Sequence, residues 1–168
     1  LAGENRAIVR AGLTAIRAGQ RQGIRSLMGV AGVHAAKLMA SDIGFMLGPR
    51  LNAAGRLESA LASLDLLMTS SVAEAGLLAQ QLDNQNRERQ RITRQIQAQA
   101  EEIALAQDPQ TLLLVAAHPE FNPGVIGLAA SRLTDLYYRP AIVAYQGEEF
   151  TRASCRSIPE FHITDALD

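Results

Sequence analysis

The stretch SVAEAGLLAQQLDNQNRERQRITRQIQAQAEEIALAQDP, residues 71–109, decides how this sequence is organised. Ser71 and Glu74 have the spacing of a capping box, in which each side chain binds a backbone N–H group of the other residue at the start of a helix. Apolar residues then recur on a narrow stripe at helical spacing, and they are Leu78, Leu82, Ile92, Ile96 and Ile103. Since no helix breaker occurs before Asp108-Pro109, the pattern predicts one helix of about 36 residues, roughly 54 Å long.

The middle of this helix, residues 83–94, is almost wholly polar. A helix that is polar all round is expected to bridge two bodies across solvent or to pair with another helix, so we place a domain boundary within it. Its arginines are predicted to form a solvated face paired with Glu88 and neighbouring amides, and they are Arg87, Arg89, Arg91 and Arg94. Sustained heptads are lacking, which disfavours a coiled coil and the alternative of a helical scaffold or adaptor without nucleotide chemistry.

Before this helix, the sequence predicts short helices over 5–17, 23–30 and 60–68. The first has an apolar stripe that consists of Ile8, Val9, Gly12, Leu13 and Ile16, and it should stop at Gly19. The third is expected to turn four apolar side chains inward, and these are Leu61, Leu64, Leu67 and Met68. Ser41 is predicted to cap a further helix that Gly48-Pro49 interrupts, because the residue before a proline avoids the helical conformation.

After residue 109 the pattern changes to that of an α/β domain. Residues 111–117 predict a buried strand, residues 124–138 a helix, and residues 141–145 and 150–155 two further strands. Another helix is predicted from about Thr164, and the sequence ends inside it at Asp168. We therefore expect the chain to be a piece of a longer protein.

Composition limits the possible classes of protein. A hydrophobic fraction of 48% is ample for a core, and a net charge of -1 excludes the general electropositivity of a non-specific DNA coat protein. Cys155 is the only cysteine, so an internal disulfide is impossible and a reducing cytoplasm is expected. No apolar run approaches the roughly 18 residues that cross a bilayer, so we expect a soluble cytoplasmic protein without membrane contact.

Two clusters have the chemistry to bind phosphate. In GPRLNAAGR, residues 48–56, a predicted tight turn presents Arg50, Asn52 and Arg56, whose guanidinium and amide groups could approach one anion together. In RASCRS, residues 152–157, strand alternation places Arg152, Ser154 and Arg156 on one side. A helix-turn packing motif and a solvated edge strand remain open as alternatives for the two clusters. The three histidines are far apart in sequence, and no metal-binding motif or catalytic triad is recognisable.

These motifs, in this order on either side of a long helix, resemble the RecJ family of DHH/DHHA1 phosphoesterases. The resemblance spans essentially the whole chain. It covers LAGENR at the start, GPRLNAAGRL, Leu82-Asp83 with Asn86-Arg87, GVIGLAASRL with Arg139-Pro140, and RASCRSIPEFHITDALD. It implies an α/β fold class with the helical C-terminal part of a DHH domain at 1–70, a connecting helix at 71–108, and a truncated DHHA1 domain at 109–168.

The resemblance also implies a function. Family members degrade single-stranded DNA from 5′ to 3′ in DNA repair and recombination, using Mn²⁺ or Mg²⁺ held by a DHH domain, and the strand passes between two domains. By position, Ser154 and Arg156 would recognise the 5′ phosphate together with Ser157, while Arg50, Asn52 and Arg56 would lie near the scissile backbone. A single-strand-binding protein and a helicase are the partners implied for the parent enzyme.

Departures from the family pattern qualify this reading. Cys155 stands where the family usually has glycine, and Asn122 stands where many members have histidine. The DHH metal motifs and the later glycine-histidine motif of DHHA1 are absent, so we predict that this piece alone does not hydrolyse DNA and binds no metal. The alternative is a DHH phosphoesterase acting on short oligonucleotides, dinucleotides or pyrophosphate, which the length of the connecting helix disfavours.

Overall fold

The computed structural model describes residues 2–57, 59–106 and 110–168, and the chain divides into two compact units at Glu88–Arg89. The helices up to this division are α1 (Gly3–Arg17), α2 (Gln22–Ala31), α3 (Ala40–Asp42), α4 (Gly48–Leu57), α5 (Leu61–Met68) and the first part of α6 (Val72–Leu105). The second unit continues with β1 (Leu114–His118), α7 (Ile126–Tyr137), β2 (Ala141–Gln146), β3 (Thr151–Arg156) and α8 (Ile163–Leu167). The division lies within α6, and the predicted breaker Asp108-Pro109 lies outside the described residues.

The start and length of α6 confirm the helix that periodicity predicted. Its cap differs in detail from a simple capping box. Ser71 Oγ accepts the Glu74 N–H at 3.3 Å. The Glu74 carboxylate does not bind the Ser71 N–H itself. Instead, the Thr69 hydroxyl lies between them: it donates to the Glu74 carboxylate and accepts the Ser71 N–H at 3.1 Å. Thr69 therefore satisfies a backbone donor that Glu74 would otherwise bind directly.

The predicted tight turn at Gly48-Pro49 is wrong, because these residues begin α4. A π-helical turn, Ile43–Leu47, precedes it, and the Gly48 N–H donates to the Ile43 carbonyl across this wider turn. Helical structure is therefore continuous from the π-helical turn into α4, and Pro49, which has no N–H to donate, follows directly after that irregular turn. The predicted Ser41 cap is also wrong: helical structure begins at Ala40, and the Asp42 carboxylate accepts the Met39 N–H at 2.7 Å.

The helix α5 buries a different face from the one predicted. Leu61, Leu64 and Met68 are exposed, whereas Leu66 and Ser63 are buried. Leucines of α5 lie on several of its faces, so hydropathy alone does not determine which face is buried. Close packing of α5 on α2 accompanies the burial of the face that carries Leu66. A β-carbon added to Gly23 would lie only 1.7 Å from the Leu66 carbonyl oxygen.

The core of the first unit joins α2, α5 and the start of α6, and its buried residues include Leu27, Leu38, Leu47, Leu66, Ala79 and Leu82. The helix α1 contributes Leu13 and Ile16 at the edge, while Ile8 is exposed. Gly19, with φ +69°, has the left-handed conformation expected of a helix stop.

The middle of α6 is not polar on every face as predicted. Asp83, Asn86 and Thr93 are buried, so the apolar stripe continues through polar side chains. Arg87, Arg91 and Arg94 are exposed, in agreement with the predicted solvated face, whereas Arg89 is half-buried.

The second unit is built on a three-stranded sheet in the order β1-β2-β3. The strands β1 and β2 are parallel and are joined through α7, and β3 returns antiparallel to β2. Phe121, Ile126, Leu133, Leu114 and Val143 are among the residues of its core. The first strand begins at Leu114 rather than at residue 111. In the part of the chain that the structure describes, no helix is both long and apolar enough to cross a bilayer.

Two tyrosines at the end of α7 are bound by carboxylates. The Tyr137 hydroxyl donates to Glu101 on α6, and this hydrogen bond is the main reason that the Tyr137 pKa lies above its ordinary value of 10.0. The Tyr138 hydroxyl donates to both oxygens of Glu160, at 2.8 and 3.0 Å, which raises the Tyr138 pKa in the same way. Each carboxylate binds the neutral phenol and repels the phenolate.

These bonds predict alkaline destabilisation of the second unit. A raised pKa in the folded state means that the stabilisation is complete below the unfolded pKa near 10 and is lost as pH rises through the folded pKa. We expect the free energy of unfolding to fall above pH 10, and to fall less in Tyr137→Phe, when urea unfolding is measured between pH 8 and 11.5. Equal slopes for the wild type and the variant would show that the Glu101 bond contributes nothing.

Candidate nucleic-acid interface

The strand β3 presents three of the predicted phosphate-binding side chains on one face. Arg152, Ser154 and Arg156 stand opposite Tyr145, Val143 and Ala141 of β2, respectively. Val143 and Ala141 are fully buried in the core that includes α7. Since cross-strand partners point to the same side of a sheet, this face of β3 is the one turned toward α7.

Ser154 and Arg156 converge on the first turn of α7. Arg156 Nε donates to Ser131 Oγ at 3.0 Å, and Arg156 Nη1 donates to the Cys155 carbonyl at 2.7 Å. A β-carbon added to Gly127 would lie 3.2 Å from Ser154 Oγ and 3.3 Å from Arg156 Nη2. The lack of a side chain at Gly127 thus leaves a hydroxyl and a guanidinium group together beside a helix N-terminus, where an anion is favoured.

The two departures from the family pattern have local explanations here. Asn122 Oδ1 accepts the Gly124 N–H at 2.8 Å, and the Asn122 carbonyl accepts the Val125 and Ile126 N–H groups, so this residue shapes the entry into α7. Cys155 lies within β3, and alternation directs its side chain away from the face that carries Ser154. Its φ is not positive, so the backbone there does not require glycine.

Ser157 has a structural partner at the exit of β3. Its hydroxyl donates to the Phe161 carbonyl at 2.5 Å and closes the turn that follows the strand. A role for Ser157 in phosphate binding stays a prediction.

The helix α4 separates the residues that a tight turn would have brought together. Asn52 and Arg56, four residues apart, are exposed on one side, while Ala54 and the largely buried Arg50 occupy the other. Arg50 Nε donates to Asp83 Oδ1 at 2.8 Å, and Arg50 Nη1 donates to the Met46 carbonyl at 2.6 Å. The exposed pair can approach a phosphodiester backbone, whereas the Arg50 guanidinium is engaged within the unit.

Sequence reasoning placed Asp83 in a family motif but missed its burial and its two ion pairs. Its side chain is 1% exposed and binds two arginines: Arg50, which is 15% exposed, and Arg87, which is 72% exposed and approaches Oδ2 at 2.8 Å. The buried position could have been found by extending the helical stripe of Ala79 and Leu82 through the polar stretch, because Asp83 and Asn86 fall on the same side.

Curated relatives match almost the entire chain. Single-stranded-DNA-specific exonucleases RecJ from Dickeya dadantii and Escherichia coli are each 41% identical over 170 residues, which is 98% of this chain and 30% of each relative. The Bacillus subtilis RecJ is 38% identical over 166 residues, again 98% of this chain but 21% of the relative. The chain belongs to the RecJ family. It spans less than a third of these relatives' length, and no family model matches it.

Solved RecJ structures share the fold. RecJ of Thermus thermophilus in complex with Mg²⁺ has a TM-score of 0.84 and 34% identity, covering 98% of this chain and 25% of that protein. An exonuclease RecJ bound to manganese has a TM-score of 0.82 and 34% identity, covering 98% of this chain and 40% of that one. The predicted α/β class, with a helical part before the sheet, is thereby confirmed.

The described residues of this RecJ segment do not provide a ligand set for Mg²⁺ or Mn²⁺. Within 2–57, 59–106 and 110–168, no three His, Cys, Asp or Glu side chains are grouped so that they could hold a metal ion. The buried carboxylate of Asp83 is bound by two guanidinium groups. These surroundings are those of an ion pair rather than of a metal ligand. We derive no metal-dependent step from these residues.

Proposed function

We propose that this chain is the strand-binding and end-recognising part of a metal-dependent 5′-to-3′ single-stranded-DNA exonuclease of DNA repair and recombination. Its RecJ relatives are single-stranded-DNA-specific exonucleases. The observation that carries the proposal is the convergence of Ser154 and Arg156 on Gly127 at the start of α7.

In this proposal a terminal 5′ phosphate lies against Gly127. Arg156 supplies charge and Ser154 a hydroxyl donor, while Ser131 holds the Arg156 side chain through its 3.0 Å hydrogen bond. Charge-assisted hydrogen bonds of this kind are roughly twice as strong as neutral ones. A terminal phosphate carries more charge than an internal phosphodiester, so this arrangement favours a strand end.

Asn52 and Arg56 are proposed to contact the sugar-phosphate backbone from the exposed side of α4. Such contacts fix the strand without reading its sequence. Arg50 contributes by fixing α4 through Asp83 and Met46, and its direct contact with DNA stays a prediction.

The remaining steps belong to the whole enzyme. Mg²⁺ or Mn²⁺, held outside this segment, would supply the activated water for hydrolysis, and this chain alone is proposed not to cut DNA. A cytoplasmic location, a single-strand-binding protein and a helicase belong to the same proposal.

Binding of 5′-phosphorylated and 5′-hydroxyl single strands to the purified chain tests the proposal. Arg156→Ala should weaken binding of the phosphorylated strand by roughly ten- to a hundredfold, the value of hydrogen bonds to a charged group, and should hardly affect the hydroxyl strand. Arg10→Ala, which removes the same charge from an exposed position on α1, is the matched control and should affect both strands equally.

Two results would contradict the proposal. One is an equal loss of affinity for the two strands in Arg156→Ala, measured at two salt concentrations so that general electrostatic attraction is separated from end recognition. The other is reproducible strand degradation by the purified chain after Mn²⁺ is added, which would place the metal ligands within this segment.

A further inference from the structure

The hairpin that joins β2 and β3 borders an open groove of about 630 Å³. The residues that line it include Tyr145, Phe150 and Arg152, together with Pro123 from the loop before α7. The Phe150 side chain is 76% exposed. The function proposed above uses none of these four residues.

A tight turn closes the hairpin beside the groove. The Gly147 N–H donates to the Phe150 carbonyl at 3.2 Å, which closes the turn. A β-carbon at Gly147 would lie 2.6 Å from the Phe150 carbonyl oxygen and 3.2 Å from Tyr145 Cε1. Glycine therefore lets the Tyr145 ring lie directly against the turn, while Tyr145 also packs against the core.

The chemistry of the groove suits a nucleobase better than a phosphate. Aromatic faces and a guanidinium plane are the groups on which unpaired bases stack. Glu148 and Glu149, which also line the groove, would repel a phosphate, but their carboxylates can accept hydrogen bonds from the amino groups at base edges.

The groove and the proposed phosphate site lie along the same strand. Arg152 precedes Ser154 by two residues and Arg156 by four on the same face of β3. At about 3.4 Å per residue, these positions lie roughly 7 Å and 14 Å from Arg152 along the strand. A base within the first few nucleotides of a strand anchored at Ser154 and Arg156 can therefore reach the groove.

We propose that Tyr145, Phe150 and Arg152 form a stacking site for a base near the 5′ end of a single strand. The inference rests on the function proposed above and adds a base subsite to it. Phe150 supplies the exposed ring, and Arg152 contributes a plane for stacking together with a charge for the adjoining phosphate.

Oligonucleotides with a single abasic position test this site directly. Affinities of 5′-phosphorylated strands lacking the first, second or third base would be measured for the wild type, Phe150→Ala, Phe150→Tyr and Arg152→Ala. Phe150→Ala should weaken binding of the intact strand about tenfold, in line with one base–aromatic stack, and should not weaken further the strand that lacks the stacked base. Phe150→Tyr, which keeps a ring, should bind like the wild type.

Salt dependence separates the roles of the two residues. Arg152→Ala should reduce the magnitude of the slope of log affinity against log salt concentration by about 1, the value for one phosphate contact, while Phe150→Ala should leave the slope unchanged. Wild-type affinity in Phe150→Ala, or equal binding of intact strands and all three abasic strands, would overturn the base site. If Arg156→Ala still abolishes discrimination for 5′ phosphate in that case, the proposed function stands without it.

Discussion

Replacing Gly23 with alanine should lower the free energy of unfolding of the helical unit by about 2–3 kcal/mol, the upper part of the range for overpacking a well-packed contact. The added β-carbon would lie 1.7 Å from the Leu66 carbonyl oxygen and 2.7 Å from the Leu66 carbonyl carbon. Both neighbours are backbone atoms, so a rotamer change cannot relieve the overlap and α2 and α5 must separate. Urea unfolding followed by helical circular dichroism measures the loss.

Gly29→Ala on the same helix is the matched control. A β-carbon there meets nothing within 4 Å, and alanine favours a helix interior over glycine by about 1 kcal/mol. We expect Gly29→Ala to raise stability slightly while Gly23→Ala lowers it. Equal effects of the two substitutions would mean that the α2–α5 approach is not as close as the structure has it.

Local patterns predicted the helices well because their causes are local. The stripe from Leu78 to Ile103 and the cap at Ser71 are sufficient for α6, which follows the prediction closely. Leucines lie on several faces of α5, however, so the burial of Leu66 and the exposure of Leu64 depend on packing against other helices, with Gly23 at the closest approach.

The error at Pro49 has a different cause. A proline after glycine ordinarily ends a helix, and the sequence contains no pattern that indicates the π-helical turn by which Ile43 and Gly48 pair across five residues. As a result, the turn that would have gathered Arg50, Asn52 and Arg56 is a helix that directs Arg50 away from the other two.

At β3, alternation was sufficient to place Ser154 and Arg156 on one face. Sequence could not show that this face meets Gly127 and Ser131, because those residues lie on the helix that connects the two parallel strands. The candidate phosphate site therefore depends on tertiary packing that was predicted only through the family resemblance.

Replacing Asp83 with alanine should cost about 3 kcal/mol of unfolding free energy, the lower end of the range for removing one partner of a buried ion pair. The carboxylate is buried and contacts α4 through Arg50, so its loss leaves a largely buried guanidinium group that still donates to the Met46 carbonyl but has lost its charged partner. Arg50 retains some exposure, which is why we expect the lower end. Urea unfolding of Asp83→Ala and Asp83→Asn measures the cost.

Arg87→Ala separates the two halves of this bridge. Arg87 binds the same buried carboxylate one helical turn away, but its own side chain is exposed, so solvent screens its charge and we expect it to contribute about 1 kcal/mol. We expect its loss to be several times smaller than that of Asp83→Ala. Comparable losses would show that the Asp83–Arg87 pair, rather than the link from Asp83 to α4, is what stabilises the unit.

The same variants connect this bridge with the proposed DNA contacts. Asp83→Ala removes a negative charge, and electrostatics alone would therefore strengthen the binding of a polyanion. If Asp83 fixes the helix that presents Asn52 and Arg56, the affinity of folded Asp83→Ala for single-stranded DNA should instead decrease. An increase would mean that α4 keeps its position without the ion pair or that its exposed face does not contact the strand, and the affinity of Arg56→Ala would decide between these two explanations.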